Sequence, residues 1–81
     1  MSAYTYIVEC SDGTFYTGWT NDLDSRIASH NSGTGAKYTR GRGPVKLVYH
    51  EEHADYRTAQ KREYAIKKLT KKQKADLISA F

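Results

Sequence analysis

The chain has 81 residues, of which 38% are hydrophobic, and a formal net charge of +4. This length predicts a single domain, residues 1–81, with a modest core. No apolar run approaches the ~18 residues that a membrane span needs, and the first residues lack the basic and apolar segments of a secretory signal. The single cysteine, Cys10, excludes an intrachain disulfide and a cysteine-based zinc site. We therefore expect a cytoplasmic protein that has no membrane partner.

The positive charge is concentrated in two stretches of the chain. Five basic residues and no carboxylate lie between Asp24 and Glu51, and eight basic residues accompany one acid from Arg57 to Lys74. Clustered basic side chains favour a polyanionic partner, because they release counterions from a phosphate backbone. The alternative is a solvated basic face without a ligand. We expect nucleic acid, and DNA in particular, as the partner; a protein partner is left open.

The first twenty residues predict a β-hairpin. Residues 4–10 and 14–20 are rich in aromatic and β-branched side chains, which favour strands, and residues 11–13 between them form a turn signal. Two registers are compatible with this turn. A two-residue turn would place Tyr6 and Tyr16 on opposite faces of the sheet. A three-residue loop with Gly13 in the left-handed conformation would place Tyr16 opposite Val8 and Tyr6 opposite Gly18, on one face. We expect the three-residue loop, since Gly18 leaves room beside Tyr6.

The remainder of the chain predicts three helices and a third strand. Asn21, Asp22 and Asp24 offer caps and first-turn acids for the first helix, and Asp55 and Thr70 are suitable caps for the second and third. The strand covers residues 45–50. The first helix continues to about Asn31 and the third ends near Phe81. The order ββαβαα predicts an α+β domain in which helices flank a three-stranded, mainly antiparallel sheet.

Glu63 is the one acid in the second basic stretch, and its helical spacing from Ala59 and Ile66 places it on or beside the core-facing stripe. A carboxylate in such a place is expected to be paired or to ligate a metal. One interpretation is an ordinary ion pair with a neighbouring lysine or arginine. The other is a carboxylate ligand for one Mg²⁺ ion, which accepts few protein ligands and fills its shell with water and phosphate oxygens.

Arg26 and His30 lie four residues apart on the first predicted helix, at the edge of its apolar face. An arginine at this edge could clamp a phosphate. A histidine beside it could transfer a proton or hold a tyrosine hydroxyl. The alternative is a surface arginine beside a hydrogen-bonded histidine that packs at the core edge.

The glycine-rich segment between the first helix and the third strand is the candidate nucleic-acid contact. Lys37, Tyr38 and Arg40, followed by Arg42, combine basic groups that suit phosphates with a ring that suits base stacking. A flexible basic loop without a ligand is the alternative.

Together these elements resemble the GIY-YIG nuclease family, over nearly the whole chain, and most closely its small bacterial subgroup that consists of this domain alone. Tyr-Thr-Gly at 16–18 looks like the YIG element, and Tyr-Thr-Tyr at 4–6 occupies the place of the GIY element. Arg26 and His30 follow at the spacing of the family's helix, and Glu63 is similar to its metal-binding glutamate. Two features depart from the pattern. The first element keeps only its tyrosine, and no asparagine follows Asn31, although many members carry one after the glutamate helix.

The resemblance implies a metal-dependent endonuclease that hydrolyses DNA phosphodiester bonds, with DNA repair or processing as its setting. It implies that Tyr6 is the general base, supported by Tyr16 and His30, that Arg26 stabilises charge on the scissile phosphate, and that Glu63 holds one Mg²⁺ or Mn²⁺ ion. A free tyrosine has a pKa of about 10, so it needs such help at neutral pH. Two alternatives remain: a nucleic-acid-binding module of the same fold without catalysis, and a protein-interaction adaptor.

Overall fold

The computed structural model describes residues 2–81. Strands β1 (Ala3–Glu9), β2 (Phe15–Thr20) and β3 (Lys46–His53) form an antiparallel sheet in the order β2-β1-β3. Because β1 lies between the other two strands, both faces of its middle residues are covered. Tyr6, Ile7 and Val8 have no exposed surface.

The hairpin adopts the three-residue loop that the sequence predicted. The amide of Cys10 donates to the carbonyl of Thr14 at 2.8 Å, and Gly13 has a φ of 83°. Tyr16 pairs with Val8, and Tyr6 pairs with Gly18. Since side chains alternate along a strand, this register places both tyrosines on one face of the sheet.

Three α-helices follow, α1 (Leu23–Ser32), α2 (Tyr56–Lys67) and α3 (Lys71–Ser79), so the predicted order ββαβαα is confirmed. Asp22, Asp55 and Thr70 each accept a hydrogen bond from a backbone amide in the first turn, as their positions predicted. A short 3-10 helix at Lys37–Thr39, which the sequence did not predict, lies in the glycine-rich segment. None of the helices within residues 2–81 is long and apolar enough to cross a membrane.

The sheet separates two apolar clusters. On one face, Tyr6, Val8 and Cys10 pack with Leu23 and Ile27 of α1. On the other face, a second cluster combines sheet residues with residues of α2 and α3, among them Ile7, Tyr49, Ile66, Leu77 and Ile78. Helix α1 therefore covers the tyrosine face, and α2 and α3 cover the opposite face.

Strand β3 runs three residues beyond the predicted end at His50. The charge of Glu51 opposed a strand prediction there, but the carboxylate is neutralised in place. Arg62 Nε donates to both of its oxygens at 2.9 Å, and the Tyr49 hydroxyl donates to Oε2. Pairing of Thr5 with Glu51 then continues the sheet to His53.

Candidate active site

The buried centre of the tyrosine face is a hydrogen bond between Tyr6 and His30. The Tyr6 hydroxyl lies 2.8 Å from His30 Nε2, and both side chains are almost completely buried. Arg26 lies one turn earlier on α1, and its Nε–H donates to the Tyr6 oxygen at 3.4 Å. The predicted helix face therefore does bring Arg26 and His30 to the sheet, and both meet the same tyrosine.

Thr39 defines the proton positions in this hydrogen-bond chain. Its hydroxyl lies 2.9 Å from the carbonyl oxygen of Ala36 and 2.8 Å from His30 Nδ1. Because the carbonyl can only accept, we assign the hydroxyl proton to it, and Thr39 then accepts from Nδ1–H. With this assignment Nε2 of the neutral imidazole has a free lone pair, and the Tyr6 hydroxyl donates to it. The chain of donors runs from Arg26 to Tyr6 to His30, and His30 in turn donates to Thr39.

The electrostatics of the site favour this neutral arrangement. Burial lowers the pKa of His30, and the nearby charge of Arg26 lowers it further. Burial also raises the pKa of Tyr6, an effect that Arg26 partly offsets. The hydrogen bond to Tyr6 raises the pKa of Arg26. At neutral pH the site thus holds a phenol, a neutral imidazole that can accept its proton, and a guanidinium ion.

Tyr16 and Gly18 complete the wall of the site on β2. The ring of Tyr16 meets that of His30 edge to face, with centroids 5.4 Å apart. A Cβ atom at Gly18 would lie 2.6 Å from the Tyr6 hydroxyl oxygen and 3.2 Å from the ring of Tyr16. A glycine is therefore required at this position if Tyr6 is to reach His30.

Glu63 reaches the same site from α2. Its carboxylate is close enough to raise the pKa of Tyr6, although burial of Tyr6 is the larger cause. The side chain is 21% exposed, and its Oε2 lies 3.7 Å from Lys67 Nζ. Both interpretations of Glu63 are thus compatible with the structure: it forms an ion pair with Lys67, and its side chain is partly exposed to solvent.

The donor groups at the cleft suit a magnesium ion. Within residues 2–81 no cluster of three or more His, Cys, Asp or Glu could hold a metal ion. Mg²⁺ does not need such a cluster, because it commonly binds one or two carboxylates and takes its other ligands from water and substrate phosphates. The single carboxylate of Glu63, near Tyr6 and Arg26, fits that requirement.

The predicted nucleic-acid residues of the glycine-rich segment are divided between the surface and the site. Lys37 and Arg40 are exposed, and Tyr38 is 40% exposed. The ring of Tyr38 stacks on Tyr16, with centroids 5.8 Å apart. The segment therefore adjoins the tyrosine face of the sheet, and Lys37 and Arg40 expose their charge to solvent.

Arg42 is already engaged within the protein. Its Nη1 lies 2.5 Å from Asp12 Oδ2, and its guanidinium carbon lies 4.4 Å from the centroid of Tyr38. Part of its charge is therefore balanced by the hairpin loop. Both partners in the ion pair are about 40% exposed, so a phosphate could still compete for the arginine.

Thr39 is the functional candidate whose role the sequence did not indicate. It lies within the segment predicted to contact nucleic acid, but it is 1% exposed and faces His30. Gly35 belongs to the same contact, because a Cβ atom there would lie 2.6 Å from His30 Nδ1. The sequence of this glycine-rich segment contains no signal that one of its residues is buried, so the position of Thr39 is evident only from the tertiary fold.

Comparison with known proteins agrees with the fold. The family model of the GIY-YIG catalytic domain matches residues 2–76. A UPF0213 protein of Clostridium perfringens is 64% identical over 77 residues, which cover 95% of this chain and 83% of that protein. A UPF0213 protein of Halobacterium salinarum is 53% identical over 74 residues, covering 91% and 96% of the two chains.

Two solved structures are also similar. The solution NMR structure of a UPF0213 protein from Bacillus halodurans is 49% identical, with a TM-score of 0.64, over 99% of this chain and 85% of that one. The solution NMR structure of an E. faecalis protein is 44% identical, with a TM-score of 0.66, over 100% of this chain and 86% of that one. The chain therefore belongs to the GIY-YIG family of nuclease domains. Within that family, the similar proteins of Clostridium perfringens, Halobacterium salinarum and Bacillus halodurans carry the name UPF0213.

Proposed function

We propose that this protein is a metal-dependent endonuclease that hydrolyses phosphodiester bonds in DNA, with damaged or branched DNA as its substrate class. The observation that carries the proposal is the buried chain in which the Tyr6 hydroxyl lies 2.8 Å from His30 Nε2 while Arg26 donates to Tyr6. A folded core does not need these groups in that order, since an apolar residue would fill the space at lower desolvation cost. General acid–base chemistry does need them.

The proton route follows from the direction of the hydrogen bonds. A water molecule that attacks phosphorus must lose a proton, and Tyr6 oxygen accepts it as the phenolic proton passes to His30 Nε2. The resulting imidazolium keeps its Nδ1–H bond to Thr39. Tyr6 therefore need not exist as a free phenolate, which its raised pKa disfavours at neutral pH. The leaving oxygen of the sugar takes a proton from solvent.

Arg26 supports the same step from the other side of Tyr6. Its Nε–H is used by Tyr6, and its terminal nitrogens, which have Tyr16 as a neighbour, are the groups that would bind the scissile phosphate. Charge on the phosphate oxygens grows in the transition state, so a fixed cation there lowers the barrier more than it lowers the energy of bound substrate.

Glu63 is the residue proposed to hold one Mg²⁺ or Mn²⁺ ion. When bound, the ion polarises the phosphate and stabilises the leaving oxygen. Glu63 would then exchange its ion pair with Lys67 for the metal. That exposed pair is worth less than about 1 kcal/mol, so the exchange costs the fold little.

The test compares the wild type with Glu63→Gln on fluorescent duplex, single-stranded and branched DNA, with Mg²⁺ or Mn²⁺ and with EDTA. Glu52→Gln is the matched control, because Glu52 lines a separate depression with Tyr4 and Asn21. We expect the wild type and the control to cut DNA only with metal, and Glu63→Gln to cut at least about 100-fold more slowly, with metal-free binding unchanged.

Two results would overturn the proposal. One is wild-type cleavage that Glu63→Gln leaves unaffected, which would mean that the metal-binding residue is wrongly assigned. The other is a wild type that binds DNA but cuts none of the substrates with either metal, which would make the protein a binding module of the same fold.

A further inference from the structure

A cavity of about 210 Å³ lies at the start of β2, outside the residues described so far as catalytic. Three separate segments line it: the hairpin, the glycine-rich segment and α3. We call it the lysine cavity. Its lining residues are Thr14, Phe15, Tyr38, Lys71 and Lys74.

The positive charges of the two lysines in this cavity are not balanced by nearby carboxylates among the described residues. Lys74 is half-buried, and its burial lowers its pKa, as does the nearby charge of Lys67. Lys71 Nζ lies 5.8 Å from the centroid of the Phe15 ring. Neither Lys71 nor Lys74 forms an ion pair with any carboxylate in the part of the chain that is described. Withdrawing the charge of Lys74 partly from water, near the charge of Lys67, costs free energy, and an anion bound in the cavity that Lys74 and the exposed Lys71 line would offset that cost.

Tyr16 connects the lining of the lysine cavity with the proposed active site. Tyr38, one of its lining residues, stacks on Tyr16, and Lys67 Nζ lies 5.9 Å from the centroid of the Tyr16 ring. Lys67 also contacts Glu63 at 3.7 Å. A chain of cations and rings thus runs from the proposed metal-binding carboxylate to α3.

We propose that the lysine cavity binds a backbone phosphate of the DNA, adjacent along the same strand to the phosphate at which the strand is cut. Lys71 and Lys74 contact the phosphate oxygens, while Phe15 and Tyr38 pack against the adjoining sugar or base. A positive groove with aromatic walls is the arrangement by which proteins hold a single nucleic-acid strand. The inference rests on the proposed function only in taking the Tyr6 site as the point of cleavage.

This proposal places the main contact with the DNA strand on α3, whereas the sequence predicted it in the glycine-rich segment. Arg42 is balanced by Asp12, whereas Lys71 and Lys74 have no such partner. The free energy that a phosphate gains is therefore larger at the lysine cavity. Lys37 and Arg40 remain available for weaker contacts, since both are exposed.

The experiment measures binding of a fluorescent thymidine octanucleotide by anisotropy over a range of salt concentrations, without divalent metal. The test variant is Lys71→Gln/Lys74→Gln. The matched control is Lys46→Gln/Lys61→Gln, which removes the same charge from two exposed lysines on β3 and α2. We expect the test variant to bind at least about tenfold more weakly than the control. Its log–log salt slope should be smaller by about 1.4, the value for two phosphate contacts on a single strand.

A cleavage measurement on the same proteins separates binding from chemistry. The test variant should need at least about tenfold more DNA for half-maximal rate, with the rate at saturation within about threefold of wild type. Equal DNA affinities and equal salt slopes for the test and control variants would overturn the proposed phosphate site, even if the wild type cuts DNA. Weakened binding by the test variant alone would support it, even if no cleavage is found and the proposed function fails.

Discussion

The hydrogen bond from His30 to Thr39 gives the sharpest prediction, because a single hydroxyl determines which imidazole nitrogen accepts the proton of Tyr6. Thr39→Val replaces that hydroxyl by a methyl group of nearly the same size. His30 Nδ1–H then has no acceptor at a position where His30 is 1% exposed. The imidazole can avoid an unsatisfied buried donor only by carrying its proton on Nε2 instead.

The magnitude follows from those two possibilities. Leaving Nδ1–H unsatisfied costs about 1–3 kcal/mol of folding free energy. Moving the proton to Nε2 avoids that cost, but Nε2 can then no longer accept from Tyr6. Loss of a positioned general base lowers a rate by about 10²–10⁴-fold. We therefore expect Thr39→Val to lose at least about 100-fold in single-turnover cleavage, with DNA affinity unchanged.

Three measurements make up the assay: metal-dependent cleavage, urea unfolding, and the nitrogen NMR signals of the His30 ring at neutral pH. The wild type should show a protonated Nδ1 and a bare Nε2. Thr39→Ser is the control, since it keeps the hydroxyl and should retain the ring proton on Nδ1 and most of the activity.

Cleavage by Thr39→Val at the wild-type rate would refute the reasoning. So would a wild-type His30 ring that carries its proton on Nε2, because Tyr6 could not then donate to it. A loss of activity in both the valine and the serine variants would show that the site responds to packing and not to the hydroxyl.

Three further predictions concern stability. Gly18→Ala should lower the free energy of unfolding by about 1–3 kcal/mol through overpacking, because its Cβ would lie 2.6 Å from the Tyr6 oxygen. Gly43→Ala, which has open space around it, is the control and should lower it less in the same urea titration. Wild-type unfolding free energy should fall as the pH drops below about 6.5, because the pKa of His30 is lowered in the folded state and the unfolded chain therefore binds more protons. The fall should be smaller for His30→Gln, and equal slopes for the two proteins would contradict it. Thr70→Ala should lose about 1 kcal/mol, since it removes the reciprocal capping bonds with Gln73, and an unchanged urea midpoint would exclude that role.

The sequence predicted the elements whose residues act locally. Asp22, Asp55 and Thr70 cap the three helices, because a cap depends only on the three residues that follow it. The hairpin register was also predictable, since Gly13 can adopt a positive φ and Gly18 leaves space for Tyr6. That register placed the two tyrosines on one face before any tertiary contact was known.

Features that depend on distant contacts were not predictable. Strand β3 continues through Glu51 because Arg62, from a helix later in the chain, neutralises it. Thr39 is buried although its neighbours on both sides are exposed, because the turn at Lys37–Thr39 folds back onto His30. Nothing in the spacing of Lys71 and Lys74 relates them to Tyr38, which lines the same cavity.

Tyr6→Phe tests the central claim most directly, because it removes only the oxygen that joins Arg26 to His30. Single-turnover cleavage with Mg²⁺ should fall at least about 100-fold, while DNA affinity stays unchanged. Tyr4→Phe, two residues earlier on β1, is the control and should cut at the wild-type rate. Cleavage by Tyr6→Phe at the wild-type rate would contradict the account, because no proton could then pass through residue 6 to His30.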